Sequence, residues 1–337
     1  MKNREMEQRA TKKREKGVIL VMILWVLLAI SMLALSFSAA IRTEVDAARN
    51  VVDQKQSYYM ARAGIEYAIY KIFQANSAFG QLEQMRQEGI EGIPEVLTGS
   101  VSLSLAHATA DVEIIDESGK LNLNLAPDHL IWNLLIMVGI EPALADIIEH
   151  SILDWRDQDD FYRENGAEND YYQSLPEPYL AKNGPFDVPE ELLLVQGVTP
   201  EIYYGRKGLN EAGQRVEYYG LQNYFTTFSS INRINVNSAP IPVLASVPTL
   251  DYEIALQIDA LRQQAPIMEV GELTHMIPGI STEALAYLSQ MRSNVYTLVS
   301  DGHLNNSEVI SRIRTVIRLT GGGRHAVLYW NESNIEM

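Results

Sequence analysis

One stretch near the N-terminus constrains the fold of this chain more than any other. Residues 18–41 carry no charged side chain, and twenty-four residues of helix rise about 36 Å, enough to cross a hydrocarbon layer of about 30 Å. The sixteen residues before Gly17 hold seven Lys or Arg and three Glu. Because positively charged flanks stay in the cytoplasm, we expect a single membrane crossing at residues 18–41, with the rest of the chain exported.

The position of the small residue next to this stretch indicates how the chain is processed. A secretory signal peptide is cut after its apolar core, but here Gly17 comes before it, in the sequence Lys16-Gly17-Val18. Cleavage between Gly17 and Val18 would remove the charged leader, residues 1–17, and keep the apolar helix. An inner-membrane protein that is anchored and never cut is the alternative.

This arrangement resembles the N-terminus of type IV pilins and pseudopilins. In those families a dedicated prepilin peptidase cuts after such a glycine and methylates the new N-terminus, which the resemblance places at Val18. Most of these subunits carry Glu at the fifth mature position, where it pairs with the amine of a neighbouring subunit; here that position is Met22. A subunit without this carboxylate fits the end of a filament, where no such pairing is required.

The helical pattern continues beyond the membrane. From Arg42 to about Ala75, apolar and small residues recur at helical spacing, and no proline occurs before Pro94. A continuous helix from Val18 to Ala75 would be about 87 Å long, and a globular head must bury one side of its second half. Two helices with a hinge near Gly64 are the alternative.

Strand-like sequence brackets a mainly helical middle region. Alternating segments precede it at residues 101–105, 110–115 and 121–125, and others follow it at 295–299, 309–319 and 325–330. We therefore predict an α+β fold in which a long helix packs on an antiparallel sheet that carries a large, mainly helical insertion. The predicted divisions are the leader 1–17, the membrane half 18–41, the first part of the head 42–125, the insertion 126–292 and the last strands 293–337.

The middle region contains an internal repeat. The segment LNLNLAP, residues 121–127, recurs as INVNSAP at residues 234–240. A second pair, 195–199 and 277–281, matches the apolar-x-Gly-apolar-Ser/Thr turn of helix-hairpin-helix and SAM-like modules. Such hairpins can bind DNA, but the net charge is −16 and becomes about −20 once the +4 leader is removed, so we expect no nucleic acid partner.

Together these features resemble the K-type minor pseudopilins of type II secretion. The resemblance implies a pilin-like head with a helical insertion in the periplasm, at the pseudopilus tip with I- and J-type subunits and the major pseudopilin. A minor pilin of a surface fibre, whose inserted domain binds a ligand, is the alternative. The chain has no nucleophile elbow, P-loop or Rossmann fingerprint, and we expect no enzymatic activity.

An acidic segment, DWRDQDDFYRENGAEND, is the strongest candidate for a functional site. Its seven carboxylates face only two arginines, and Glu168 is twelfth counting from Asp157, although Phe161 and Tyr162 break an EF-hand pattern. The residues themselves allow either a hydrated loop or a shared hard cation. The resemblance implies calcium in the insertion, and the predicted ligands, which flank the Asn-Gly turn, are Asp157, Asp159, Glu168 and Asp170.

Other residue types offer weaker candidates. The alternative for Asp154, which precedes Trp155, is the end of a helix. Six scattered histidines have no metal-ligand spacing, and the absence of cysteine excludes disulfides and thiolate metal sites.

Overall fold

A computed structural model describes most of this 337-residue chain. It describes the backbone of residues 2–87, 98–209, 215–218, 220–291 and 294–335. Side chains are described for residues 19, 21–77, 98–205, 220–291 and 294–332.

A single helix, α1 (Lys2–Gln87), forms the N-terminal quarter of the molecule. Within the described residues it is the one helix long and apolar enough to cross a membrane, and its described large apolar side chains up to Ile41 are exposed. The predicted continuous helix is confirmed, and it extends beyond Val18 and Ala75 at both ends. The alternative of a hinge near Gly64 does not occur, because the helix runs through that position without a break.

The second half of α1 packs on a five-stranded antiparallel sheet. The predicted strands on both sides of the middle region belong to it, apart from residues 121–125. The turn between the last two strands is made by glycines with positive φ. In their order across the sheet, the strands are β1 (Gly99–Leu105), β2 (Ala108–Asp116), β9 (Val295–Leu304), β10 (Ile310–Thr320) and β11 (Arg324–Ile335).

Small residues let α1 lie unusually close to this sheet. A Cβ atom on Gly64 would stand 2.6 Å from Ser300 Oγ and 2.7 Å from Ala110 Cβ, and one on Gly302 would collide with the backbone of Ala61. Around this contact the helix and sheet bury a common apolar core: Ala61, Ile65, Ala68, Ile69, Ile72, Val112, Ile114, Tyr296, Leu298, Ile313 and Ile317. Gly64 is therefore explained by close packing rather than by bending.

The chain between β2 and β9 forms a mainly helical insertion with its own apolar core. Its helices are α2 (Asp128–Met137), α3 (Pro142–Arg156), α4 (Asn169–Gln173), α5 (Pro200–Tyr204), α6 (Ile241–Ala245), α7 (Tyr252–Gln264) and α8 (Leu273–Met276). Its short strands are β3 (Leu121–Asn122), β4 (Arg206–Leu209), β5 (Arg215–Tyr218), β6 (Phe225–Thr226), β7 (Ile234–Asn235) and β8 (Leu288–Ser289).

The expectation of a strand over residues 121–125 needs correction. Only Leu121–Asn122 is a strand, and it pairs in parallel with β6 rather than with the main sheet. The Asn122 side chain accepts the Asn124 N–H at 2.8 Å, so the chain turns there instead of extending the strand.

A buried polar junction joins the insertion to the sheet. Lys120 Nζ lies 2.7 Å from Glu117 Oε1, and this carboxylate also accepts the Thr297 hydroxyl of β9 at 2.7 Å. Burial opposes the charged form of Glu117, but Lys120 and these hydrogen bonds hold its pKa below the usual value. Gly119 lies against the backbone of Ser238, where a Cβ would collide. The turn after β2 is thus joined to β9 through Glu117 and Thr297, and to residues farther along the insertion through Gly119 and Ser238.

Candidate functional site

Two copies of one structural unit make up most of the insertion; we call residues 121–226 repeat 1 and residues 234–289 repeat 2. In repeat 1, β3 pairs in parallel with β6, and in repeat 2, β7 pairs in parallel with β8. Asn122 accepts the Asn124 N–H at 2.8 Å, and Asn235 accepts the Asn237 N–H at 3.1 Å. The predicted internal repeat is therefore a repeat of structure as well as of sequence.

The strand pair and the asparagine contacts form a frame that both repeats share. An arginine near the end of the longest helix of each repeat completes this frame. Arg156 of α3 donates to the carbonyls of Leu123 and Ala126 at 2.6 and 3.0 Å. Arg262 of α7 donates in the same way to two carbonyls of repeat 2, those of Val236 and Ala239, at 2.8 and 2.7 Å. In each repeat, two carbonyls just after the first strand thus accept hydrogen bonds from a charged donor on the second helix.

The predicted hairpin glycines also occupy equivalent places. Gly197 has a φ of 84° and Gly279 a φ of 103°, which is the left-handed region that favours glycine. Thr199 accepts the Ile202 N–H at 3.4 Å, and Ser281 accepts the Ala284 N–H at 3.2 Å. Gly197 faces Ile148 of α3, so this turn packs within the repeat.

The repeats differ in length at two places: the β4–β5 hairpin, which only repeat 1 has, and the segment between the frame arginine and the next contact. The side chain of Asn124 binds both the N–H and the carbonyl of Phe186, and Asn237 binds those of Ile267 in the same way. Between the arginine and this partner, repeat 1 has 29 residues, 157–185, whereas repeat 2 has four, 263–266. The acidic segment predicted as a functional site lies at the start of these additional residues.

Three of the four predicted ligands come together there. Carboxylate oxygens of Asp157, Asp159 and Glu168 all lie within 4.8 Å of one another. Asp170 is not part of this group: it lies in the first turn of α4, and its carboxylate accepts the Tyr171 N–H at 2.9 Å. The structure thus narrows the candidate cluster to three carboxylates.

Glu168 is the least expected member of this cluster, because its side chain is buried without a partner. Only 1% of the residue is exposed, and neither carboxylate oxygen has a hydrogen-bond partner. Burial, followed by the charges of Asp154, Asp157, Asp160 and Asp159, raises the pKa of Glu168 to about 7. A buried carboxylate without a donor is costly unless it takes a proton or a cation.

Asp154 is held differently, by an arginine from the same loop. It is fully buried, and its Oδ1 lies 2.5 Å from Arg163 Nη1. The same nitrogen lies 2.6 Å from Asp157 Oδ2. Burial nevertheless raises the pKa of Asp154. The alternative noted for Asp154 holds in part, because it belongs to the last turn of α3.

Amide side chains hold the loop around the cluster. Asn183, in the left-handed conformation, donates to Asp160 Oδ1 at 2.9 Å, and Asn169 donates to the same oxygen at 2.7 Å. Gly166 lies directly against the Asp154 carboxylate, where a Cβ would collide. Both ends of the loop are thereby held around the carboxylates.

The donor atoms of this cluster fit a hard divalent cation. Glu168 has two free buried oxygens, and Asp157 Oδ1 is also buried without a partner. These three atoms, with an oxygen of the exposed Asp159, form an oxygen-only set of the kind Ca²⁺ prefers. Arg163, Asn169 and Asn183 were not singled out from the sequence, since nothing in the order of residues shows that they would meet these carboxylates.

Comparisons with known proteins place this chain beside one family of secretion proteins. Residues 117–205 match the family model "Type II secretion system (T2SS), protein K". The chain is 26% identical over 213 residues to the type II secretion system protein K of Pectobacterium carotovorum subsp. carotovorum, covering 61% of this chain and 60% of that protein. It is 25% identical over 199 residues to the putative protein K of Escherichia coli K12, covering 56% and 60%.

The predicted resemblance to the K-type family is confirmed. The segment matched by the protein K model begins at the buried junction and ends just after α5, so it includes the acidic cluster. The chain spans about three-fifths of the length of the curated protein K relatives that it matches.

The fold also matches a solved structure. A chain in the crystal structure of the GspK-GspI-GspJ complex from the enterotoxigenic Escherichia coli type 2 secretion system superimposes with a TM-score of 0.61. The match covers 85% of this chain and 99% of that chain, at 16% identity. The predicted α+β architecture of long helix, antiparallel sheet and helical insertion is therefore confirmed.

The predicted processing site lies outside the residues whose side chains are described. The backbone at Gly17 and Val18 is part of α1, and cleavage there stays a prediction.

Proposed function

We propose that this protein is a minor pseudopilin that occupies the tip of a type II secretion pseudopilus, where it starts or caps the filament. The observation that carries this proposal is the continuity of α1, whose bare apolar half is followed by a half docked on the sheet. A subunit built in this way passes from a membrane into a filament without changing its head. The family resemblance and the large insertion favour the tip.

The residue at the fifth mature position supports an end position in the filament. Met22 is 64% exposed and offers no charge to the amine of an adjacent subunit. The insertion adds bulk on the head that a closely packed shaft would exclude. These two features support capping rather than propagation.

The partners follow from the same proposal. They are I- and J-type minor pseudopilins, the major pseudopilin and the prepilin peptidase, with the anchor in the inner membrane and the head in the periplasm. The match to a chain of the GspK-GspI-GspJ complex supports the I- and J-type subunits as partners. The full chain, purified in detergent, should form a defined complex with I- and J-type subunits.

Labelling of isolated filaments tests the tip position. Antibody against the insertion should mark one end only, and label spaced along the shaft would contradict the proposal. Met22→Glu restores the carboxylate without changing the insertion. If that variant enters the shaft, the missing carboxylate decides the position; if it stays at the end, the bulk of the insertion does.

Processing has its own test. The mature chain should begin at Val18 with a methylated amine, and Gly17→Val should block cleavage because a branched side chain crowds the peptide at the peptidase. N-terminal mass spectrometry distinguishes the outcomes, with cells lacking the peptidase as the control. An intact leader on the unaltered protein in cells with an active peptidase would favour the uncut anchor instead.

We further propose that Asp157, Asp159 and Glu168 bind Ca²⁺. The ion would supply the positive charge that the free oxygens of Asp157 and Glu168 lack. Binding stabilises the loop by about 2.7 kcal/mol at a hundredfold excess over Kd. Magnesium should substitute poorly, because it requires a tighter octahedral shell and keeps its waters.

Calorimetric titration of the full chain in detergent measures this binding. Asp159→Asn with Glu168→Gln should abolish it, while the matched pair Glu253→Gln with Glu272→Gln, exposed carboxylates of repeat 2, should leave it unchanged. Chelator should expose residues 157–185 to protease and leave repeat 2 intact. A loop equally resistant in calcium and in chelator would indicate a hydrated acidic loop.

A further inference from the structure

One basic side chain lies inside the acidic cluster. The Nη1 of Arg163 contacts both Asp154 and Asp157, at 2.5 and 2.6 Å, and its backbone N–H also points at the Asp154 carboxylate, at 3.3 Å from Oδ2. Repeat 2 has only four residues at this place and nothing that corresponds to Arg163. The arginine therefore belongs to the cluster rather than to the shared frame.

Arg163 divides the carboxylate oxygens into two sets. Those of Asp154 and the Oδ2 of Asp157 face the arginine. The Oδ1 of Asp157 and both oxygens of Glu168 have no partner. One aspartate thus turns one oxygen to the arginine and keeps the other for the remaining carboxylates.

We propose that Arg163 is an internal cation that sets the calcium affinity of this cluster and keeps Asp154 from becoming a ligand. This inference rests on the calcium binding proposed above and identifies the residue that tunes it. Without an arginine, Asp154 would add a fourth negative charge beside Asp157, Asp159 and Glu168. With Arg163 present, that charge is cancelled and only the unpaired oxygens face the ion.

The sign of the effect follows from Coulomb's law. A guanidinium a few ångströms from a divalent cation repels it, and a unit charge at about 6 Å in a water-exposed site changes the affinity by about tenfold. Arg163 also holds Asp157 in place before the ion arrives. Its charge therefore weakens binding, while its geometry preserves the arrangement of the ligands.

Four variants of the full chain in detergent separate charge from geometry, with calcium alone as the titrant. Arg163→Gln should tighten calcium binding about tenfold, and Arg163→Lys, which keeps the charge, should stay within about threefold of the unaltered protein. Asp154→Asn should weaken binding about tenfold. The double variant Arg163→Gln with Asp154→Asn restores the net charge and should return the affinity to within about threefold.

A control and a folding check complete the test. Arg312→Gln removes the same charge from the sheet, where Arg312 pairs with Asp301 at 2.5 Å, and should leave the affinity unchanged. Hydrogen exchange over residues 157–185 reports whether each loop still folds. If Arg163→Gln disorders the loop, the double variant, which removes the charge of Asp154 together with that of its partner, provides the comparison with Asp154→Asn.

The two proposals fail in different ways. If Arg163→Gln binds calcium as tightly as the unaltered protein or more weakly, with the loop folded, the role of Arg163 is wrong and the calcium site stands. The role of Arg163 is also wrong if the double variant binds calcium as weakly as Asp154→Asn does. If the unaltered protein binds no calcium, the calcium proposal fails, and this inference with it.

Discussion

Repeat 1 and repeat 2 have the same frame but different content. Each is made by two asparagines, an arginine and a short parallel strand pair, with closely similar hydrogen bonds. Repeat 2 closes this frame with four residues, whereas repeat 1 carries 29 at the same place. The acidic loop is therefore not needed to build a repeat.

This difference shows where function can be added to such a unit. In repeat 2 the last turn of α7 leads straight to Ile267, whose backbone binds Asn237. In repeat 1, α3 ends at Arg156, and the loop that follows carries the clustered carboxylates. The chain then reaches Phe186, whose backbone binds Asn124 in the equivalent way. Because the frame is closed by contacts outside the loop, changes in the loop should remain local.

The largest effect that tests the shared frame is loss of its arginine. Arg156→Met and Arg262→Met each leave two carbonyls without their charged donor, and we expect each to lower the opening free energy of its own repeat by about 3 kcal/mol. Hydrogen exchange measured by mass spectrometry resolves the two repeats. Arg312→Met, which breaks a partly exposed pair on the sheet, should cost less than about 1 kcal/mol. A large loss in one repeat alone would show that the frames are not equivalent.

The second effect is a dependence on pH that we expect for the stability of the acidic loop but not for the shared frame. The folded-state pKa of Glu168, about 7, lies above its ordinary value of 4.5, so the folded loop binds a proton more tightly than the unfolded loop between these values. Stability is then lost as the pH rises through about 7, by at most about 3 kcal/mol. In chelator, residues 157–185 should exchange faster at pH 8 than at pH 5.5 after correction for the intrinsic rate.

Two controls define that pH effect. Glu168→Gln should remove most of the dependence, because the group no longer titrates. Repeat 2 has no such cluster, so its corrected exchange should be the same at both pH values. Equal change in both repeats would mean that the pH acts on the whole insertion.

A smaller effect tests the contact between the loop and the frame. Gly166→Ala places a methyl group against the Asp154 carboxylate at the end of α3 and should cost about 2 kcal/mol as the two move apart. Gly184→Ala, whose Cβ would have its nearest neighbour at 3.7 Å, is the matched control and should be nearly neutral. Equal melting temperatures of the two variants would show that Gly166 does not pack tightly against Asp154 of α3.

The smallest effect compares the helix caps of the two hairpins. Ser281 accepts the Ala284 N–H at 3.2 Å and also lies 2.7 Å from the Thr249 hydroxyl, whereas Thr199 accepts the Ile202 N–H only at 3.4 Å. We expect Ser281→Ala to cost about 1 kcal/mol and Thr199→Ala about half of that. Chemical denaturation of the two variants under one condition gives the comparison, and the reverse order would contradict it.

The sequence predicted those features that local pattern determines. Apolar spacing gave the long helix, alternation gave the main strands, and the Asn-x-Asn and glycine motifs gave the repeats. The exception is residues 121–125, whose alternation continues past Asn122 although the asparagine side chain turns the backbone there. A period of two does not distinguish a strand from such a turn.

The candidate site was less predictable, because it depends on contacts between distant residues. Composition pointed to the acidic segment, but Asp170 was expected beside Glu168 and instead lies in the first turn of α4. Asn183 reaches Asp160 across 23 positions of sequence. The burial of Glu168, on which the site depends, is a property of the folded loop that no local pattern records.

The close contact between α1 and the sheet determines how a pull on the membrane anchor is transmitted. A slide of α1 by one turn, about 5.4 Å, would bring Ala68 or Met60 to the place of Gly64, where even a Cβ has no room. Neither retraction nor advance of the anchor can therefore occur by slippage along the sheet. A displacement of the membrane segment must carry the sheet with it, and through the Glu117 and Lys120 junction it carries the insertion as well.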